Sequence, residues 1–268
     1  MDNSLETKMA KTWCPGCPNF GVLAAVKQAI TGLEEEEFLQ RKDLVMVTGI
    51  GCHGKIYDYL NLSGFYSLHG RSLPTMLGIK IGNPNLNVIG FTGDGDSYAE
   101  GMAHLVHTCR YNANLTLLVH NNQTFALTTG QETPTSDENN FRFNPLSIAL
   151  EAGATFVARS YALDTPHLSG LIKQAITHRG FSILEIVQPC LIFQNNAQFF
   201  KEKITKVDQA ASLQEALKIT RSWDYSVSSR QKVPTGLFFK ENRPCFEDQW
   251  KNQNRRPLSS SQLKSWFA

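Results

Sequence analysis

The 268-residue chain is predicted to be an α/β protein: a layered, mostly parallel sheet with helices on both faces, followed by a C-terminal arm. Three observations predict it. Short apolar runs at 44–48, 87–91 and 115–119 have strand length and lead into glycine or asparagine turns. Segments of helical character, 73–81 and 99–110, lie between those runs. Strands that alternate with helices need crossover connections, and crossovers bring strands together in parallel.

Taken in order, residues 20–30 carry Ala24, Ala25, Lys27 and Gln28 within an apolar run and are predicted to be helical. The strand at 44–48 ends in Gly49-Ile50-Gly51, that at 87–91 precedes Gly93, and that at 115–119 precedes Asn121. Asn144-Pro145 has the form of an N-cap with proline at the first helical position, and Thr165-Pro166 is expected to do the same for a helix over 168–178. Gly180 is expected to stop that helix, and 181–187 is the next strand. After Gln194 the chain becomes more polar, with a capping box at Ser212 and Glu215 and a strand-like run at 236–239. Two regions are therefore expected: an α/β domain over 1–194 and an extension over 195–268 that packs on the domain or on a partner subunit. Its end, with Arg255, Arg256 and Ser259 to Ser261, is expected to be partly disordered.

Composition narrows the function. A net charge of +2 with 19% charged residues gives no basic field of the kind a nucleic-acid binder carries, so phosphate recognition has to be local. The first residues lack a basic segment followed by an apolar stretch, and no run approaches the ~20 apolar residues of a membrane span. A cytoplasmic protein without membrane contact is expected. Six cysteines in a reducing compartment point to metal ligands, catalytic groups or buried apolar fillers before disulfides.

The most informative stretch is Gly93-Asp94-Gly95-Asp96 with Asn121-Asn122. Asp94 and Asn122 lie 28 residues apart, the span of one strand-helix-strand unit, which places two oxygen ligands at the carboxyl edge of neighbouring strands. Magnesium prefers such ligands completed by phosphate oxygens, and a backbone carbonyl near Thr124 would add to the set. Gly93 and Gly95 are expected to let the backbone approach a diphosphate, with the following helix N-terminus adding its dipole.

This stretch is similar to the thiamine diphosphate fingerprint. Together with Trp13-Cys14-Pro15-Gly16-Cys17, the glycine-rich segment 49–55, His69-Gly70-Arg71 and the segment 129–135, it resembles the beta subunit of 2-oxoacid:ferredoxin oxidoreductases. The likeness runs from about Trp13 to Gln194. It implies the thiamine diphosphate-binding fold and a cofactor site of Cys52, His69, Gly70, Arg71, Gly93, Asp94, Gly95, Asp96, Asn122, Thr124, Ala126 and Leu127, with Mg2+ on Asp94, Asn122 and Thr124. It further implies catalytic roles for Lys55 and His69.

Cys14 and Cys17 have the C-x-x-C spacing of a metal turn, Cys52 follows a strand in a glycine-rich turn, and Cys190 follows another strand. Four thiolates suit zinc as well as iron. The resemblance implies a four-iron four-sulfur (4Fe-4S) cluster on Cys14, Cys17, Cys52 and Cys190. Cys109 reads as a buried apolar thiol, and Cys245, His53, His104, His107 and His120 receive no role.

The implied reaction is the coenzyme A-dependent oxidative decarboxylation of a 2-oxoacid, of 2-oxoglutarate or broad type, with electrons passed through the cluster to ferredoxin. Because the chain is too short to contain the second thiamine domain, a partner alpha subunit is expected to supply the activating glutamate. A non-redox thiamine decarboxylase or synthase subunit and a zinc-stabilised binding protein are the competing readings. Pro18, Ser97 and Phe125-Ala126 depart from the usual family pattern, and Ala126 stands where glycine would permit a positive φ.

Overall fold

The computed structural model describes residues 4–136, 141–228 and 230–251. Helix α1 (Asn19–Glu35) leads into strand β1 (Leu44–Thr48), whose five residues are all buried. Then follow β2 (Ser63–Tyr66), α2 (Ser72–Gly82), β3 (Asn87–Gly93), α3 (Met102–Tyr111) and β4 (Leu115–Asn121). A two-stranded ribbon of β5 (Thr124–Phe125) and β6 (Gln131–Glu132) precedes α4 (Pro145–Glu151), β7 (Phe156–Tyr161), α5 (Thr165–Thr177) and β8 (Phe181–Val187). The chain continues through α6 (Ala197–Lys203), β9 (Ile204–Lys206), α7 (Leu213–Arg221), β10 (Val233–Lys240) and α8 (Asp248–Lys251).

Eight strands form one sheet in the order β2-β1-β3-β4-β8-β7-β10-β9. Every junction is parallel except β7 with β10. The inner strands β4, β7 and β8 are buried along their whole length because helices cover both faces. Val26, Ile30 and Leu33 of α1 and Leu168 and Ile172 of α5 pack on one face with Met46, Phe91, Leu118 and Leu184. Met76 of α2, Leu105 of α3, Leu146 of α4 and Ala216 of α7 pack on the other with Val88, Leu117, Val157 and Ile183.

Several expected boundaries shift for physical reasons. Asn144 caps α4 as expected, its side chain accepting the Ser147 amide at 3.1 Å. For α5 the cap is Asp164, which accepts the His167 amide, so Thr165 is the first helical residue and Pro166 the second. Alpha-helix does not begin at Ala99: residues Gly95–Glu100 form a π turn, and α3 starts only after Gly101. The capping box at α7 is made by Ser212 on the Glu215 amide, with Glu215 returning to the amide of Ala211.

The extension after residue 194 contributes β9 and β10 to the main sheet. The residues 255, 256 and 259–261 lie outside those described. No described helix is long and apolar enough to cross a membrane.

The order of strands matters for the site. From β1 the chain adds β2 on one side and β3 on the other, so the crossovers part at the carboxyl ends of β1 and β3, the place where open α/β sheets form a ligand crevice.

Candidate functional site

A cleft opens at that edge. Its walls come from the turn after β1 (Ile50, Gly51, Cys52, His53), from His69, from the turn after β3 (Gly93 to Asp96), and from Asn122 and Thr124 to Thr128 after β4. Cys52, His69, Gly93, Asp94, Gly95, Asp96, Asn122, Thr124, Ala126 and Leu127 are thus brought together. Gly70 stands behind the wall, its amide donating to Asp96 Oδ1 at 2.6 Å. Arg71 is not a wall residue; its guanidinium reaches back to the Gly70 carbonyl.

Asp94 is 2% exposed and surrounded by neutral donors: the Thr133 hydroxyl at 2.6 Å, the Thr135 hydroxyl at 3.4 Å, and the amides of Gly95 and Asn122. Burial pushes its carboxyl up to about 7 against the pull of those donors. No cation among the described residues pairs with it. A buried carboxylate supplied with dipoles but no counter-charge is the environment a divalent ion completes. Asn122 would supply the second oxygen, its Oδ1 also accepting the Thr124 amide at 3.0 Å, so the pair would suit a Mg2+ that carries a diphosphate.

Asp96 serves a different purpose. Although burial raises its carboxyl, His53, the Gly70 amide and the Thr92 hydroxyl hold it below the usual carboxylate range. His53 Nε2 stands 3.5 Å from Oδ2, an ion-pair distance without hydrogen-bond geometry, and His69 Nδ1 stands 3.9 Å from Oδ1. Asp96 therefore ties together the turns after β1, β2 and β3. The glycines beside it have a local reason for being there. A Cβ on Gly95 would meet the Phe125 ring at 2.2 Å, and one on Gly93 would meet His53 at 2.8 Å. Phe125 in turn stacks on His69 with ring centroids 6.0 Å apart. The left-handed residues of the β4 turn are Gln123 (φ 58) and Thr129 (φ 81), not Ala126, so alanine there is free of strain.

A second cavity adjoins the first. It is lined by Cys14, Cys17, Cys52 and Cys190 together with Trp13, Asn19, Lys55, Gln188 and the apolar segment Leu191 to Phe193, and it shares Cys52, Asn122 and Ala126 with the cleft. All four thiols are free. The C-x-x-C segment is a turn closed by the Cys17 amide on the Cys14 carbonyl at 3.0 Å, and the Trp13 indole donates to the Cys52 carbonyl at 2.7 Å. Burial raises the thiols of Cys17 and Cys52, and the other cysteines of the set add to it. The Phe193 amide points at Cys190 Sγ (3.4 Å) and the Gln188 amide at Cys17 Sγ (3.7 Å), donors of the kind that support thiolate or cluster sulfur.

Lys55 lies on the sulfur side of the shared wall. Its ammonium donates to the Thr12 carbonyl at 3.1 Å within the sulfur cavity, where its charge acts on Cys52, and it is not part of the cleft. Among the described residues, no three His, Cys, Asp or Glu converge on a point that a single metal ion would occupy. Cys109 is fully buried and Cys245 lies away from both cavities.

Sequence reasoning missed His53, Phe125, Thr133 and Thr135 as members of the site. His53 is next to a cysteine that was assigned, but nothing in its own neighbourhood distinguishes a wall histidine from a core one. The two threonines come from a segment noted for its resemblance, and only the fold shows that they point at Asp94.

Comparison with known proteins agrees with this geometry. Residues 49–186 match the family described as thiamine pyrophosphate enzyme, C-terminal TPP binding domain. The 2-oxoacid:ferredoxin oxidoreductase subunit beta of Saccharolobus solfataricus is 38% identical over 250 residues, covering 85% of this chain and 81% of that one. The 2-oxoglutarate synthase subunit KorB of Archaeoglobus fulgidus is 36% identical, covering 88% of each. A solved 2-oxoglutarate:ferredoxin oxidoreductase from Magnetococcus marinus, with 2-oxoglutarate, coenzyme A and succinyl-CoA bound, superposes with a TM-score of 0.85 at 26% identity over 100% of this chain and 97% of that one. With a cleft at the carboxyl edge of its sheet and relatives of this kind along nearly its whole length, the chain belongs to the thiamine pyrophosphate enzymes and, among them, to the beta subunits of the 2-oxoacid:ferredoxin oxidoreductases.

Proposed function

We propose that the chain holds thiamine diphosphate through Mg2+ on Asp94 and Asn122, aided by the backbone at Thr124, and a 4Fe-4S cluster on Cys14, Cys17, Cys52 and Cys190. With an alpha partner it oxidatively decarboxylates a 2-oxoacid in the presence of coenzyme A and passes electrons to ferredoxin. One observation carries the reading: the two cavities share Cys52, Asn122 and Ala126, so a redox centre in one touches the wall of the cofactor cleft in the other.

Thiamine diphosphate supplies carbanion chemistry and the cluster supplies one-electron steps; the protein supplies binding, orientation and electrostatics. Asp94 and Asn122 anchor the diphosphate end. His69, about a third exposed and stacked on Phe125, offers a ring nitrogen at the mouth of the cleft, where a substrate carboxylate would enter. Leu127, half exposed on the rim, provides apolar surface for the cofactor's body. Lys55 is assigned to the charge balance of the thiolates instead of to substrate. The four thiols line one cavity beside the cofactor cleft, where a cluster would serve electron transfer that zinc, having no redox chemistry, would not.

Anaerobic co-purification with the alpha partner, followed by iron, sulfide, zinc, magnesium and thiamine analysis and a 2-oxoacid panel led by 2-oxoglutarate, tests this. About four irons per chain are expected, with coenzyme A-dependent reduction of ferredoxin. Zinc in place of iron, or decarboxylation with no reduced acceptor, would overturn the redox reading.

A further inference from the structure

Glu185 stands mid-strand in β8, opposite Val119 of β4 and Arg159 of β7, and is fully buried. A charged pair at the centre of a sheet is an expensive way to fill space, because apolar residues of similar volume serve as well or better. Arg159 balances the charge: its Nε donates to Glu185 Oε1 at 2.6 Å, and its guanidinium lies 4.9 Å from the Trp223 ring. The other carboxylate oxygen shows what the pair accomplishes.

Glu185 Oε2 accepts from the Tyr98 hydroxyl at 3.1 Å and from Asn121 Nδ2 at 3.0 Å. Tyr98 lies four residues after Asp94, in the π turn that Asp94 opens, and Asn121 immediately precedes Asn122. The two segments that carry the metal-facing oxygens therefore meet on one atom. With its amide nitrogen committed to Glu185, Asn121 turns Oδ1 to the Gln123 amide at 3.1 Å and to the Thr135 hydroxyl at 3.3 Å. The first contact fixes the left-handed residue of the β4 turn, and in the second Asn121 Oδ1 shares the single proton of the Thr135 hydroxyl with Asp94 Oδ2.

We propose that Glu185, clamped by Arg159, is a positioning residue that sets Asp94 and Asn122 in register for the metal-diphosphate pair. This rests on the reading of those two residues as ligands. The device extends into the C-terminal segment, because the Tyr225 hydroxyl spans both oxygens of Glu185 at 3.0 and 3.1 Å and the Pro234 carbonyl accepts from Arg159 Nη1 at 3.3 Å. In Glu185→Gln the Arg159 contact keeps the oxygen at Oε1, so an NH2 falls opposite Tyr98 and Asn121. Asn121 then relieves the clash by turning its amide over, and that withdraws Oδ1 from the turn.

The test uses the full chain assembled with its alpha partner, titrated with Mn2+ in the presence of thiamine diphosphate and read by electron paramagnetic resonance. Thermal melting without metal runs in parallel. Glu185→Gln is expected to weaken Mn2+ binding by about 10-fold, the lower end of the loss seen for a partner bonded to the ligand itself, because Glu185 acts one bond further out through Tyr98 and Asn121, with Tyr98→Phe weakening it by several-fold. Activity should recover toward the wild-type kcat at saturating metal, a pattern that lost stability alone does not produce. Wild-type Mn2+ affinity in both variants, with Asp94→Asn abolishing binding, would overturn the proposal and leave the ligand assignment standing. If Glu185→Gln fails to fold, Tyr98→Phe decides alone, since it removes only a hydroxyl. Wild-type affinity in Asp94→Asn would overturn the ligand assignment and the proposal with it.

Discussion

Single residues divide into those whose chemistry is local and those whose chemistry depends on neighbours far along the chain. Asp94 and Asn122 are of the first kind: their spacing and the turns around them placed both at the strand ends without coordinates. Cys17 and Cys109 show why the sulfur argument needed the fold as well. Both thiols are pushed up by burial, yet Cys17 faces three other cysteines whereas Cys109 is enclosed in apolar helix packing. Cys17→Ala is expected to lose most of the iron and the visible absorbance of the complex, and Cys109→Ala to keep both, as measured by iron analysis and absorption after anaerobic purification. Glu185 is of the second kind. Within residues 181–187 it is one carboxylate in a strand, and its meaning comes from Tyr98, Asn121, Arg159 and Tyr225, which sequence alone does not bring together.

At the scale of elements, the core strands and most helices were legible because apolar period and turn chemistry agree there. The π turn after Asp94 was not, since only Ala99 and Glu100 of Gly95–Glu100 favour helix and the wide turn accompanies long-range contacts, Tyr98 on Glu185 and Gly95 against Phe125. The junction of α5, β7 and β8 makes a pH prediction. Thr155 donates to Asn112 Oδ1 at 2.7 Å, so the His178 Nε2 at 2.8 Å must carry the proton in the bond with Thr155, leaving Nδ1 buried without a partner. Burial, and then the charge of Lys240, lower His178 to about 4. The unfolded chain therefore takes up a proton first, and folding stability is lost as pH falls from about 6.5 toward about 4. The loss, discounted for solvent screening of the imidazole, is on the order of 1–2 kcal/mol. His178→Gln should flatten this limb of the denaturation profile, measured by urea unfolding at pH 7, 5.5 and 4.5; an unchanged slope would exclude His178 as its source.

For the whole molecule, the division at residue 194 marks a change of composition more than a change of fold. β10 pairs with β7, and Trp223 and Tyr225, stacked on each other with ring centroids 4.5 Å apart, lie against the Arg159 guanidinium in the core. Deleting residues 195–268 is expected to give mostly insoluble protein, because it bares the edge of β7 and strips a buried guanidinium of its partners. A soluble fragment with native circular dichroism would contradict that. The polar texture of this segment hid its role, since β10 is the one late apolar run and its strand partner lies over 70 residues earlier. Apolar side chains stand exposed beside the two cavities, Leu127 on the rim of the cleft and Ile192 and Phe193 on the sulfur cavity, a surface suited to the alpha chain. The isolated beta chain is accordingly expected to show no turnover until alpha is added.

The partition built from Cys52, Asn122 and Ala126 has a thermodynamic consequence. A wall that belongs to two chambers cannot be stiffened on one side alone, so filling either chamber lowers the ordering cost of filling the other. If the proposed metal-sulfur centre and coenzyme fill these chambers, their occupancies would reinforce each other, and by reciprocity protein stripped of iron would grip the coenzyme less firmly to the same degree that coenzyme-free protein would shed iron more readily.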